Sequence, residues 1–242
     1  MNLIIDVGNS LVKIAVFQEG KLKVKDAFKL ESFLEFFQTF FEVHGNFDKC
    51  IVSSVGKLTD LQLNSIKEKV EVFELNSKTP LPFKNLYSTP NTLGIDRLAL
   101  VSALVNQYPN TNALVIDAGT CVTFDFLTAQ NTYLGGAISP GLRLRYQALN
   151  NFTANLPLLE TKRPNGLIGN STSEAIHSGV VLGLVNELEG VISKYQEKYS
   201  DLTVILTGGD ADFLSKQFKN GIFANSNFLL EGLNYILEFN SN

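Results

Sequence analysis

Two stretches carry residue types that can do chemistry, and they share a pattern. Leu3-Ile4-Ile5 runs into Asp6-Val7-Gly8-Asn9-Ser10-Leu11-Val12-Lys13, so one carboxylate stands at a strand end with a glycine and two short polar residues behind it. Asp6 there can face a hydrated metal. Gly8 lets the backbone approach a phosphate with no Cβ in the way, and Asn9 and Ser10 add short-range donors. The same Asp-x-Gly-Asn composition also suits a plain hairpin turn. The pattern returns in Leu114-Val115-Ile116-Asp117-Ala118-Gly119-Thr120, where Asp117 matches Asp6, Gly119 matches Gly8 and Thr120 matches Asn9. A strand–Asp–x–Gly–polar–strand unit used twice implies two related domains facing each other.

Two further groups stand out. Gly94-Ile95-Asp96-Arg97 ends a long loop with three prolines (Pro80, Pro82, Pro90) and opens a helix. Asp96 there is either an ordinary helix cap beside a solvated Arg97, or a carboxylate and a guanidinium aimed at a ligand. Thr207-Gly208-Gly209-Asp210 follows a buried strand, at the carboxyl end where open α/β sheets bind nucleotides.

The elements that must position these groups follow from periodicity. Residues 14–17 and 22–28 read as strands, and residues 32–43 as a helix whose phenylalanines make one wide core face stopped by Gly45. Strands over 50–55 and 70–75 flank a helix over 59–70. A helix spans 98–108, and residues 109–112 break the chain. Beyond it come a strand over 133–138 through Gly135-Gly136, a helix carrying Arg143 and Arg145, and an irregular stretch over 151–169. The longest helix runs from about 170 to 199, with Gly179 and Gly183 one turn apart for close packing in the domain or in a dimer. A strand over 202–206, a helix from 211 and a last helix over 227–239 complete the chain. The class is α/β with partly antiparallel sheets, in domains 1–110 and 111–242.

Composition excludes several functions. Over 242 residues the net charge is −4 with no Lys/Arg block, which argues against nucleic acid. Cys50 and Cys121 form no CxxC and read as small buried hydrophobes, so neither zinc nor a disulfide framework is expected. No uninterrupted apolar run approaches the ~20 residues that span a bilayer, and no signal peptide opens the chain. A soluble, cytoplasmic protein without membrane attachment is the expectation.

Asp6-x-Gly-Asn-Ser, Asp117-x-Gly-Thr and Thr207-Gly-Gly-Asp, in that order, resemble the ATPase superfamily of actin, sugar kinases and heat-shock chaperones. There, two ribonuclease-H-like domains hold ATP in the cleft between them. With Tyr87, Gly94-Ile-Asp-Arg97, Gly135-Gly-Ala-Ile-Ser-Pro-Gly141 and Gly169-x-x-Thr172, nearly the whole chain is similar to the type III pantothenate kinases of bacteria. That resemblance implies ATP-dependent phosphorylation of pantothenate, the first step of coenzyme A biosynthesis. It implies an ATP phosphate loop over Asp6, Val7, Gly8, Asn9, Ser10, Leu11, Val12 and Lys13, with Asp6 near magnesium and Thr120 on the phosphates. Tyr87, Gly94, Ile95, Asp96, Arg97 and Thr172 would contact pantothenate, with Asp96 as general base. Asp117 would bind potassium or ammonium, and the chain would form a homodimer. Ser10 stands where Thr is common, and Cys121 where a small residue is usual. The competing reading is a non-catalytic actin-like nucleotide-binding module or transcriptional accessory protein, which would not need the acceptor residues.

Overall fold

The computed structural model describes residues 1–8, 11–53, 57–218 and 222–241. The chain divides into two compact units, Met1–Pro109 with Asn227–Asn242, and Asn110–Ser226.

The first unit is built on β1 (Asn2–Val7), β2 (Val12–Gln18), β3 (Lys21–Phe28), β4 (Lys49–Ser53) and β5 (Val72–Glu74), in sheet order β3-β2-β1-β4-β5. β1 sits in the centre because Leu3, Ile4 and Ile5 are apolar on both faces, as a strand covered on both sides requires. β3 lies at the edge, where Lys21, Lys23 and Lys25 discourage further strand pairing. β1 is antiparallel to β2 and parallel to β4. Glu19 and Gly20, at φ 50° and 69°, turn β2 into β3.

α1 (Phe33–His44) and α2 (Asp60–Lys67) cover one face. The expected phenylalanine stripe is core: Phe33, Phe37 and Phe40 are buried, and Phe28 stacks on Phe36 at 4.1 Å. Gly45 caps α1, but the left-handed residue is Asn46, at φ 74°. A Cβ on Gly45 would lie 2.6 Å from the Phe41 carbonyl oxygen, so glycine is required there for space. Thr59 and Gln62 form a reciprocal capping box on α2. Beyond β5 a two-residue strand, β6 (Lys84–Asn85), interrupts the proline-rich loop before α3 (Ile95–Gln107).

The second unit contains β7 (Ala113–Ala118), β8 (Cys121–Leu127), β9 (Thr132–Pro140), α4 (Leu142–Asn151), α5 (Thr172–His177), α6 (Gly183–Lys198), β10 (Thr203–Thr207), α7 (Ala211–Ser215) and β11 (Phe223–Ala224). Its strands run β11-β10-β7-β8-β9. With β7 in the place of β1, order and directions repeat those of the first sheet. The motif echo at Asp6 and Asp117 is therefore an echo of topology. Gly136 lies where a Cβ would come within 1.6 Å of the Phe124 carbonyl oxygen, so this glycine serves close strand approach.

Three expectations are corrected. The long helix is continuous but contains a π turn, Ser178–Leu182, between α5 and α6. A Cβ at Gly179 or Gly183 would meet nothing within 4 Å, so neither is glycine for packing inside the domain. Cys50 is buried, with its thiol pushed up by burial, but Cys121 is exposed, because it begins β8 at the rim of a turn. Among the described residues, only the 27-residue stretch Thr172–Lys198 is long and apolar enough to cross a membrane, and half of its most apolar window is buried, with Ile176, Val181, Leu184 and Leu188 in the core.

The largest correction concerns the C-terminus. α8 (Phe228–Phe239), expected in the domain 111–242, packs with α3 over the second face of the first sheet. Leu230, Leu233, Ile236 and Leu237 meet Ile4, Phe17 and Ala99 there. Asn2 Nδ2 donates to Asn234 Oδ1 at 2.9 Å, and Gln107 Nε2 to Glu231 Oε2 at 2.6 Å. Gly232 sets the approach of the two helices, since a Cβ would lie 1.9 Å from the Ala99 carbonyl oxygen. Gly232→Ala is expected to destabilise the protein by about 1–3 kcal/mol, the cost of overpacking, measured by urea unfolding. An unchanged midpoint would show that the α3–α8 contact is not held this tightly.

Candidate active site

Residue alternation in β1 decides what Asp6 faces. Leu3, Ile5 and Val7 point to α1 and α2, and Ile4 to α3 and α8, so Asp6 shares the face of α3, whose first turn carries Asp96. Asp6 is 6% exposed. Its Oδ1 accepts from Ser53 Oγ at 2.5 Å. Burial pushes the Asp6 carboxyl above its ordinary value; Ser53, Lys13 and Lys57 pull it down, and the Asp96 charge adds to the push. Lys13 is paired with Asp6 across the hairpin. Lys57 Nζ donates to the Val7 carbonyl at 3.2 Å. A carboxylate so arranged, with cationic side chains around it, can hold a hydrated cation and an anion together.

Gly8 has two assignments. Its N–H donates to the Leu11 carbonyl at 3.1 Å, and a Cβ would lie 2.8 Å from that oxygen. The amide is spent inside the turn, so what Gly8 offers an anion is a missing side chain rather than a donor. Leu11 is exposed, Val7 and Val12 are buried, and Asn9 and Ser10 lie outside the described residues.

Gly94 is the N-cap of α3, and Asp96 lies in its first turn. Asp96 is therefore not the cap. Its Oδ1 accepts the Arg97 backbone N–H at 2.9 Å. The carboxylate folds over Gly94, where a Cβ would come within 2.3 Å of that same oxygen. Asp96 is exposed, Ile95 half-buried, and Arg97 only 4% exposed with its guanidinium 5.6 Å over the Tyr87 ring. The first unit thus gathers Asp6, Lys13, Tyr87 and Gly94 to Arg97.

In the second unit, Asp117 pairs with Thr207 in the parallel register β7–β10, as Asp6 pairs with Ser53 in β1–β4. Each aspartate thus has a hydroxyl residue opposite it on the neighbouring parallel strand. Gly208, at φ +97°, lies against Asp117: a Cβ would be 2.3 Å from Asp117 Oδ1 and from the Ala118 carbonyl oxygen. Asp210 N–H donates to that carbonyl at 2.9 Å, and burial pushes the Asp210 carboxyl up. Nothing lies within 4 Å of a Cβ on Gly209, which leaves a bare face of backbone.

The β7–β8 turn encloses three residues where β1–β2 encloses four, judged from the last paired residues Ala118↔Val122 and Val7↔Val12. Gly119 N–H donates to the Cys121 carbonyl at 2.9 Å, and Thr120 is exposed. Gly141 N–H donates to the Thr120 carbonyl at 3.0 Å and starts α4. Thr172 opens α5 behind the N-cap Ser171 and is exposed. Among the described residues no three His, Cys, Asp or Glu side chains converge as a ready-made metal cage.

Sequence reasoning passed over Ser53 and Lys57. Ser53 ends a buried strand, but its role depends on the register of β4 against β1, which the sequence does not display. Lys57 reaches the Val7 carbonyl across fifty positions of chain.

This doubled sheet order is the fold of actin-like ATPases and sugar kinases. Solved structures of the same fold include a Campylobacter jejuni protein described as a Baf family transcriptional activator (TM-score 0.65, 22% identity, 98% of both chains). The activator of 2-hydroxyisocaproyl-CoA dehydratase from Clostridium difficile with bound ADPNP follows (0.55, 10%, covering 98% of this chain and 94% of that one). A glucokinase from an Antarctic psychrotroph also matches (0.53, 13%, 98% of both). Those likenesses concern the fold alone. Sequence narrows the class: the family model of type III pantothenate kinase matches residues 2–194. A type III pantothenate kinase of Christiangramia forsetii is 52% identical over 240 residues, 99% of each chain. One from Flavobacterium johnsoniae is 46% identical over 239 residues, 99% of this chain and 98% of that one. The chain belongs to the type III pantothenate kinase family.

Proposed function

We propose that this chain transfers the γ-phosphoryl group of ATP to the primary alcohol of pantothenate, giving 4'-phosphopantothenate, the first step of coenzyme A biosynthesis. The observation that carries this reading is identity of 52% over essentially the whole length with a type III pantothenate kinase. Intact acceptor-side residues, Tyr87, Asp96, Arg97 and Thr172, favour it over a nucleotide-binding module without catalysis.

Phosphoryl transfer needs the nucleophile in line with the γ-phosphate and the spreading negative charge offset. Asp96 is the general base. One carboxylate oxygen is held by the Arg97 N–H, which fixes the orientation, and the other is available to accept the proton of the alcohol. Arg97 and Tyr87 act together: the ring holds the guanidinium plane, and the guanidinium takes the substrate carboxylate. Gly94 and Ile95 line the same helix start, and the Thr172 hydroxyl adds a contact to pantothenate. The turn from Asp6 to Lys13 and the exposed Thr120 serve the ATP phosphates.

Asp6 and its surroundings fit a hydrated magnesium, since magnesium keeps several waters and needs only one or two carboxylates besides substrate phosphates. When bound, that ion screens the charge that builds on the transferred group. Asp117, set against Gly208 and the Ala118 carbonyl, is an oxygen-rich strand end that suits potassium or ammonium. A homodimer is part of the same proposal, supported by the exposed apolar side chains Phe152, Leu167 and Ile168.

The test is ADP release from ATP and magnesium with and without pantothenate, in potassium and in sodium buffer. Pantothenate-dependent release, faster in potassium, is expected. Equal release with and without pantothenate would defeat the proposal, and equal rates in both buffers would defeat the cation assignment alone.

A further inference from the structure

α4 and α5 meet through a buried polar pair that the mechanism above does not use. The Tyr146 hydroxyl lies 2.8 Å from His177 Nδ1, and the rings meet edge-on with centroids 5.7 Å apart. Tyr146 is 1% exposed and His177 6%. The Tyr146–His177 contact joins α4 to α5 across the irregular stretch between them. Tyr146 belongs to the buried apolar cluster that also holds Leu142, Ile176 and Val180. Two apolar side chains of similar size would fill that space without the cost of burying polar atoms.

The position of the pair suggests what it does. α4 starts at Gly141, which rests on the β7–β8 turn: its N–H donates to the Thr120 carbonyl, and a Cβ there would lie 2.0 Å from the Gly119 carbonyl oxygen. α5 begins at Thr172 and ends at His177. The π turn follows at once. A π turn carries one residue more than an α turn, so closing it would rotate everything before it by about 100° around the helix axis. The extra residue gives α5 its own rotation relative to α6, and the Tyr146–His177 contact lies where that rotation is set, at the last residue before the π turn. Ser178 Oγ donates to the Leu167 carbonyl at 2.6 Å, and a Cβ on Gly169 would lie 2.2 Å from Ala175 N, so the chain entering α5 moves with it.

We propose that Tyr146 and His177 are a positioning pair, whose hydrogen bond sets the rotation of α5 and with it the place of Thr172 relative to the Gly119–Thr120 turn. The consequence for catalysis rests on Thr172 being an acceptor contact; the anchoring of α5 does not.

Two measurements on Tyr146→Phe, which keeps the ring and removes the hydroxyl, test this. The first is steady-state kinetics. Loss of one buried hydrogen bond with a partner left behind is expected to raise KM for pantothenate about tenfold, with KM for ATP within about twofold. His177→Leu should do the same, and the double variant should be no worse than either single one, because both remove one interaction. His177→Gln, whose amide oxygen can accept from the Tyr146 hydroxyl, should recover part of the loss. The second is amide hydrogen exchange, which needs no turnover. Residues 169–177 should exchange faster in Tyr146→Phe and residues 183–198 at the wild-type rate.

Unchanged exchange at 169–177, or faster exchange across the whole unit, overturns the anchoring. Faster local exchange with both KM values unchanged, or with both raised equally, overturns its link to the acceptor. If wild-type protein turns over ATP without regard to pantothenate, the proposed function has failed, and the exchange result still decides the anchor.

Discussion

Asp96→Asn should lower pantothenate-dependent turnover at least ~100-fold, the low end for loss of a general base, while leaving ATP affinity within about twofold. Both halves follow from the geometry. Asparagine keeps an oxygen for the Arg97 N–H that Asp96 Oδ1 accepts at 2.9 Å, so the first turn of α3 and the fold over Gly94 survive. It cannot take a proton from the alcohol. Gly94, not Asp96, is the N-cap, so a purely structural role would predict little loss of either activity or stability. Turnover and substrate KM measured with calorimetric ATP titration separate the cases. Near wild-type turnover would remove Asp96 from the mechanism.

Asp6→Asn should have a second large effect, with opposite signs on activity and stability. Turnover should fall by ~10²–10³, the scale for losing one group that offsets transition-state charge. Stability near neutral pH should rise. Burial is the main cause holding the Asp6 carboxyl above its ordinary value, and the Asp96 charge adds to it. The folded state therefore binds this proton more tightly than the unfolded chain. Below the ordinary carboxylate value both states are protonated and Asp6 costs nothing. As pH rises through the folded-state value, the fold must give up a proton that it holds, and stability is lost. Asparagine bears no such loss and can still accept from Ser53. Thermal unfolding should show the variant above wild type at pH 7, with the difference closing as pH falls towards the ordinary carboxylate range. A variant less stable than wild type at pH 7 would mean that Lys13 and Lys57 outweigh the burial of Asp6.

Asp6 and its counterpart Asp117 stand at positions legible in the sequence, for a physical reason. β1 and β7 are central strands apolar on both faces, so each is an uninterrupted run that ends abruptly on a carboxylate. The phenylalanine face of α1 was legible through its period. What was not legible depends on contacts distant in sequence. The stripe Leu230, Leu233, Ile236, Leu237 fits a sheet in either domain, and contacts distant in sequence, such as Gly232 against Ala99 and Asn234 against Asn2, assign α8 to the first unit. Cys121 has apolar neighbours, yet it begins a strand at a turn and is exposed. That the Gly8 and Gly119 amides are spent on the Leu11 and Cys121 carbonyls was not legible either, since turn hydrogen bonds depend on backbone geometry. The π turn leaves no composition signal, as the apolar period continues through it.

The central claim is that a phosphoryl group passes from ATP to the primary alcohol of pantothenate on this chain. Phosphorus NMR of a reaction containing purified protein, ATP, magnesium, potassium and pantothenate tests it most directly. A new phosphomonoester resonance, split by the adjacent methylene protons and growing in step with ADP, is the result predicted. ADP accompanied only by inorganic phosphate, with pantothenate recovered unchanged, would contradict it.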